Sequence, residues 1–73
     1  MIVGEEWNDV ICGNKVKIRF YKIESFLYQK SYVFHIEGDF NNMRTIRFNQ
    51  HRLPSKEDVR NRYIKYYIDK KWW

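Results

Sequence analysis

The chain has 73 residues, a length that gives room for a single small domain, which we expect to span residues 1–73. Hydrophobic residues make up 44% of the chain and aromatic residues 19%, a composition that argues against disorder. The formal net charge is +5, and all 14 Lys and Arg residues lie after position 14. We therefore expect the body of the protein to be strongly cationic.

No apolar run approaches the roughly 20 residues that a membrane helix needs, and the N-terminus has no signal-peptide pattern. We expect a cytoplasmic protein with no membrane partner. Cys12 is the one cysteine, so no disulfide can form within the chain. Alanine is absent while Ile, Lys and Asn are frequent, which is typical of an AT-rich genome and suggests a phage protein or one from another mobile element.

The first predicted element is a half-buried strand over residues 15–23, in which apolar and polar residues alternate. Gly13 and Asn14 come just before it, and this pair is typical of a two-residue hairpin turn because both residues tolerate a positive φ. Residues 7–12 should therefore pair back on this strand. The turn predicts a register with Trp7 opposite Phe20, Asp9 opposite Ile18, Ile11 opposite Val16 and Cys12 opposite Lys15.

A second hairpin is predicted in the middle of the chain. Residues 31–37 alternate in the same way and so do residues 44–49, with turn-forming residues at 38–42 between them. We expect Phe26 and Tyr28 to extend the apolar face of the first run backwards. The apolar faces carry Tyr32, Phe34 and Ile36 in the first run and Ile46 and Phe48 in the second.

The last predicted element is a helix that begins after Ser55 and ends near residue 70 or 71. Ser55 is a favourable N-cap, and Glu57 and Asp58 put negative charge in the first turn, where the helix dipole favours it. About half of the helix circumference is apolar. This apolar face carries Val59, Tyr63 and Tyr66, and it is widened by Ile64, Tyr67 and Ile68.

Together these elements predict an α+β fold, an antiparallel meander of three to four strands with one C-terminal helix packed on one face. The opposite face of the sheet should then be basic and open, and such a face can bind phosphates. The alternative is an ordinary solvated face whose bases protect the sheet from aggregation. The residues expected on this face are Lys15, Lys17, Arg19, Tyr21, Val33, His35, Thr45 and Arg47.

A second group of bases is expected around the end of the last strand and the start of the helix. It consists of Arg44, Arg47 and Arg52 with His51, close to the helix N-terminus, which can bind anions. The alternative is that Glu57 and Asp58 already neutralise this helix end. The predicted nucleic-acid-binding residues are thus Lys15, Lys17, Arg19, Tyr21, His35, Arg44, Arg47 and Arg52.

Apolar residues of the C-terminal part indicate a different kind of partner. Exposed Trp is typical of protein interfaces, and the wide apolar face of the helix could leave side chains for a partner. These anchors are Ile64, Ile68, Trp72 and Trp73, with Tyr28, Phe40 and Met43 as further candidates. The alternatives are that the two tryptophans complete a small core, or that the helix pairs with that of a second copy in a homodimer.

Catalysis is not expected. His35, His51 and Cys12 are the only imidazole and thiol groups of the chain. Cys12 and His35 are both expected on the open face, but a nucleophilic Cys–His pair also needs a third group that orients the imidazole. Metal binding and cofactors are not expected either. We therefore expect a small basic accessory protein that binds nucleic acid. The alternative is a protein-binding module or inhibitor whose basic rim steers it to an acidic partner.

Overall fold

The computed structural model describes residues 1–38 and 43–69. Four strands and one helix follow one another along the chain, and the strands form a single antiparallel sheet in the order β1-β2-β3-β4. The predicted α+β meander with a C-terminal helix is confirmed. The elements are β1 (Glu6–Ile11), β2 (Asn14–Phe26), β3 (Gln29–Glu37), β4 (Met43–Asn49) and α1 (Lys56–Asp69).

The turn between β1 and β2 differs from the prediction by one residue. Cys12 and Gly13 occupy it, with φ of 53° and 79°, so both central residues are in the left-handed region that a type I′ turn requires. The predicted register is therefore wrong, and Trp7 lies opposite Ile18 instead of Phe20. Because the shift is two residues, an even number, the side chains of β1 keep their predicted faces of the sheet, while Cys12 moves into the turn.

A β-bulge interrupts the pairing of β2 with β3. Phe20 lies opposite Phe34, but the next pair is Lys22 with Val33, so Tyr21 is an extra residue in β2. The bulge reverses the alternation of faces that a regular strand would have. As a result, Lys22 shares the face of Arg19 rather than that of Phe20.

The core lies between the sheet and α1, and its centre is aromatic. Phe20 and Phe34 stack with ring centroids 4.8 Å apart, while Phe48 meets Phe34 edge-on at 5.8 Å. Among the helix side chains that the structure describes, Val59 and Tyr63 are buried, as predicted. The other buried members of this core are Ile11, Val16, Ile18, Tyr32, Ile36 and Ile46, with Met1, Trp7, Ile64 and Tyr66 partly buried beside them.

The start of α1 is fixed by reciprocal hydrogen bonds, as the N-cap prediction requires. Ser55 Oγ accepts a hydrogen bond from the backbone N of Asp58 at 3.1 Å, and the Ser55 backbone N donates to Asp58 Oδ2 at 3.0 Å. This arrangement is a capping box, with Asp in place of the usual Glu or Gln. The predicted helix end near residue 70 or 71 lies outside the described residues.

Two arginines of α1 bind the outer strands of the sheet. Arg60 reaches β1, where its Nη2 donates to the carbonyl O of Val10 at 3.4 Å and its Nε lies 3.8 Å from Asp9. Arg62 reaches β4, where its Nη1 donates to the carbonyl O of Arg47 at 3.2 Å. The helix is thus attached to both edges of the sheet.

The turn between β2 and β3 projects an apolar tip. Leu27 and Tyr28 form this turn and are 98% and 91% exposed, so the expectation that Tyr28 extends the apolar core face is wrong. The Phe26 side chain and Phe40 lie outside the described residues. Met43, at the start of β4, is exposed, as expected for a candidate anchor. Among the residues described, no helix is both long and apolar enough to cross a membrane.

Candidate functional site

The face of the sheet opposite α1, here named the open face, holds most of the predicted binding residues. Cross-strand pairing places their side chains on one surface, since residues opposite each other in a ladder point to the same side. The helix packs on the other side of the sheet. The Lys and Arg residues of the described open face are Lys15, Lys17, Arg19, Lys22 and Arg47, all solvent-exposed.

One carboxylate holds the bases at the β1 side of the open face. Glu6 Oε2 lies 3.2 Å from Lys17 Nζ, and Glu6 Oε1 lies 3.8 Å from Arg19 Nε. The three residues are neighbours because Glu6 is opposite Arg19 in the ladder. Solvent screens such exposed pairs, so this ion pair orients the bases more than it stabilises the fold.

A second carboxylate holds the bases at the other side. Glu24 Oε1 lies 3.1 Å from Lys22 Nζ and 3.0 Å from Arg47 Nη1. The hydrogen bond from Lys22, followed by that from Arg47, lowers the pKa of the Glu24 carboxyl below its ordinary value. Glu24 therefore stays ionised next to these two cations at neutral pH.

Val33 is buried at 1% exposure, although the sequence placed it on an open surface. Its partners in the ladder are Lys22 on one side and Arg47 on the other. The ion pair of Glu24 with Arg47 joins β2 to β4 across β3, the strand that carries Val33. The aliphatic parts of long charged side chains can cover an apolar residue in this way.

The open face is less cationic than the sequence analysis expected. Five bases share its described part with three carboxylates, which leaves a net charge of +2. Sequence reasoning did not place these carboxylates among the bases. They are Glu6, Glu24 and Glu37.

Lys22 is a binding candidate that the sequence analysis missed. A strictly regular strand would have placed it on the core side, and the bulge at Tyr21 moves it to the open face. A signal was present in the sequence, because the polar–apolar alternation changes phase where Tyr21 and Lys22 precede Ile23. A change of phase inside a long strand is a mark of a bulge.

Tyr21 and His35 form an aromatic pair in the middle of this surface. Their ring centroids are 4.1 Å apart and their planes are inclined by 20°, which is a stacked arrangement. Tyr21 is 44% exposed, while His35 is partly buried and lies opposite Arg19 in the ladder. Both residues are where the sequence analysis placed them, but their contact was not predicted.

The predicted arginine cluster near the helix start does not form. Arg44 lies opposite Ile36, on the core side of the sheet, whereas Arg47 lies on the open face. Residues three apart in a strand point to opposite faces, so one surface cannot hold both. Arg52 is an exposed residue of the loop before α1. At the helix N-terminus, Asp58 is already bound to Ser55, which favours the reading that this end is neutralised by its own acids.

The predicted protein anchors are only partly described. Ile64 is half-buried against the core, which reduces the apolar area it can offer to a partner. The Ile68 side chain, Trp72 and Trp73 lie outside the described residues. The predicted contact of α1 with a partner or a second copy stays a prediction.

Cys12 is far from His35 in this fold. It lies in the first turn rather than on the sheet face where the sequence analysis placed it. His35 is opposite Arg19, five residues after the start of β2 at Asn14, which corresponds to about 16 Å along the strand. The thiol and the imidazole are therefore too far apart to form a nucleophilic pair.

Comparison of the chain with protein-family models, with curated proteins and with solved structures finds no match in any of the three.

Proposed function

We propose that the protein binds nucleic acid through the open face. The observation that carries this proposal is the row of five exposed Lys and Arg side chains on one side of a sheet whose other side is packed against α1. A paired backbone holds these side chains at fixed spacings. Bases displayed in this way can neutralise several phosphates of one strand, and the release of counterions then favours binding.

The carboxylates of the open face fit this function in a specific way. Glu6 and Glu24 each contact two bases, so the cationic groups are already oriented toward a shared anion. A phosphate group presents its oxygens to Lys and Arg in a similar manner, as charge-assisted hydrogen bonds. A phosphate that takes the place of either carboxylate meets two bases at once.

The first test is the salt dependence of binding. Fluorescence anisotropy with labelled oligonucleotides, single-stranded and duplex, is measured from about 50 to 200 mM salt. We expect the logarithm of the association constant to fall linearly with the logarithm of salt concentration. Arg47→Gln should reduce the slope by about 0.7–0.9, the value for one lost phosphate contact.

Lys65→Gln is the matched control, because Lys65 is an exposed base of α1 with the same charge. This variant should keep the slope of the wild-type protein. The proposal is rejected by an absence of binding to either probe at the low end of the salt range, and also by equal effects of the two variants.

A second candidate function is favoured by the tip of the β2–β3 hairpin. Leu27 has φ of 50°, a left-handed conformation that costs a non-glycine residue free energy, and its side chain is almost fully exposed beside Tyr28. An exposed apolar pair on a strained turn is typical of a contact with a protein partner. A protein that acts only through this contact would bind neither oligonucleotide probe, so the same titration distinguishes the two functions.

A further inference from the structure

The bulge in β2 gives Tyr21 a position that no other residue of the strand has. It is the extra residue between two paired positions, Phe20 opposite Phe34 and Lys22 opposite Val33. Bulges re-aim a side chain away from the direction that regular pleating would give it. Here the re-aimed side chain is an aromatic ring that remains 44% exposed on a polar surface.

The ring of Tyr21 is supported from within the protein. His35 stacks on it at 4.1 Å, so one face of the tyrosine ring is covered by the imidazole. A flat ring backed by a second ring is a rigid surface for stacking, and it needs little ordering when a planar ligand binds.

Cations lie around this aromatic pair. Lys22 Nζ lies over the Tyr21 ring, 5.4 Å from its centroid, so a base that stacks on this ring displaces a flexible, exposed side chain. Arg19 is opposite His35 in the ladder. Arg47 is on the same surface and is held by Glu24, which also contacts Lys22. A stacking ring beside a track of bases is the combination by which proteins bind single-stranded nucleic acid.

We propose that the stacked pair of Tyr21 and His35 is a platform for one base of a single-stranded nucleic acid. This inference rests on the proposed function, since the neighbouring bases must hold the phosphates of the same strand. In a duplex the bases are stacked on one another and cannot reach the platform. The open face therefore prefers single strands to duplexes of equal length.

The test compares three labelled probes of about 12 nucleotides at low salt, a length within the usual range of such sites. They are an oligothymidylate, an abasic strand with the same number of phosphates, and a duplex. We expect the oligothymidylate to bind about tenfold more tightly than the abasic strand, because one stacked base contributes about this factor. Tyr21→Leu should lower its affinity to that of the abasic strand, and Tyr21→Phe should restore it.

Tyr28→Leu is the matched control, the same change at a tyrosine on the hairpin tip, and it should leave the preference for the oligothymidylate intact. Equal binding of the oligothymidylate and the abasic strand by the wild-type protein would overturn the platform while leaving phosphate binding in place. Tighter binding of the duplex than of the oligothymidylate would also overturn the platform and leave phosphate binding in place. Failure of all three probes to bind overturns the proposed function as well. The comparison of the three probes uses the wild-type protein, so it tests the platform even if the Tyr21→Leu variant folds poorly.

Discussion

Cys12 is an unusual residue for the place it occupies. It has φ of 53° at the first central position of a type I′ turn, where Asn followed by Gly is the preferred pair. A left-handed conformation costs an ordinary L-residue about 1–2 kcal/mol, and Asn reduces this cost. We expect Cys12→Asn to raise the free energy of unfolding by about 0.5–1 kcal/mol, measured by urea denaturation.

Cys12→Ser is the control, since it also removes the thiol but brings no comparable preference for positive φ. If the Asn variant is no more stable than the Ser variant, the positive φ at position 12 does not lower the free energy of unfolding of the wild-type protein.

The capping box fixes the residue at which α1 begins. Ser55 accepts a hydrogen bond from a backbone N–H of the first turn, a donor that the helix itself cannot pair. We expect Ser55→Ala to lower the free energy of unfolding by about 1 kcal/mol in thermal or urea denaturation. Ser25→Ala, at an exposed serine of β2, should change it by less than about 0.5 kcal/mol. Equal losses in the two variants would contradict the role of the cap.

The elements show how far the sequence predicts the fold. All four strands and the helix start were predictable, because alternation, a capping residue and turn formers are local signals. The first turn was placed one residue too late, since Gly13 fits either position of a two-residue turn and only the pairing of the strands decides between them. The turn at Leu27 and Tyr28 has no clear sequence signal, because Leu27 is a poor turn former. The sequence therefore ends β2 too early and extends β3 too far back, through Tyr28 to Phe26.

The candidate site was predicted less completely than the fold. Charges on a strand can be assigned to a face, but their contacts depend on neighbours brought in by other strands. Thus Arg47 was predicted on the open face, while its contact with Glu24 across β3 has no local signal in the sequence. The stacking of Tyr21 on His35 depends on the bulge, which also decides the place of Lys22.

At the scale of the whole molecule, ion pairs join segments that are distant in the sequence. Glu5 binds Lys56 of α1 at 3.1 Å, and Glu24 binds Lys22 and Arg47. The hydrogen bond from Lys56 lowers the pKa of Glu5, as that from Lys22 lowers the pKa of Glu24. A carboxyl with a lowered pKa in the folded state contributes stability that is fully present above its unfolded pKa, about 4.3. This stability is lost as the pH falls through the folded value.

We therefore expect the urea midpoint to decrease as the pH is lowered below about 4. Glu24→Gln should be less stable than the wild-type protein at neutral pH, and this difference should shrink in acid, where the wild-type carboxyl is protonated too. Glu37→Gln, at an exposed glutamate of β3, serves as the comparison. A deficit of Glu24→Gln that is the same at both pH values would show that the carboxylate charge is not the cause.

The two arginines that attach α1 to the outer strands also affect how copies of the protein can meet. The carbonyl O of Val10 accepts from Arg60 while its N–H donates to Asp9 Oδ1 at 2.7 Å, and the carbonyl O of Arg47 accepts from Arg62. These backbone groups are the ones that an added strand would use for pairing. A strand added at either of these positions would compete with the helix for the carbonyl, so the attachment of α1 disfavours edge-to-edge pairing of two copies there.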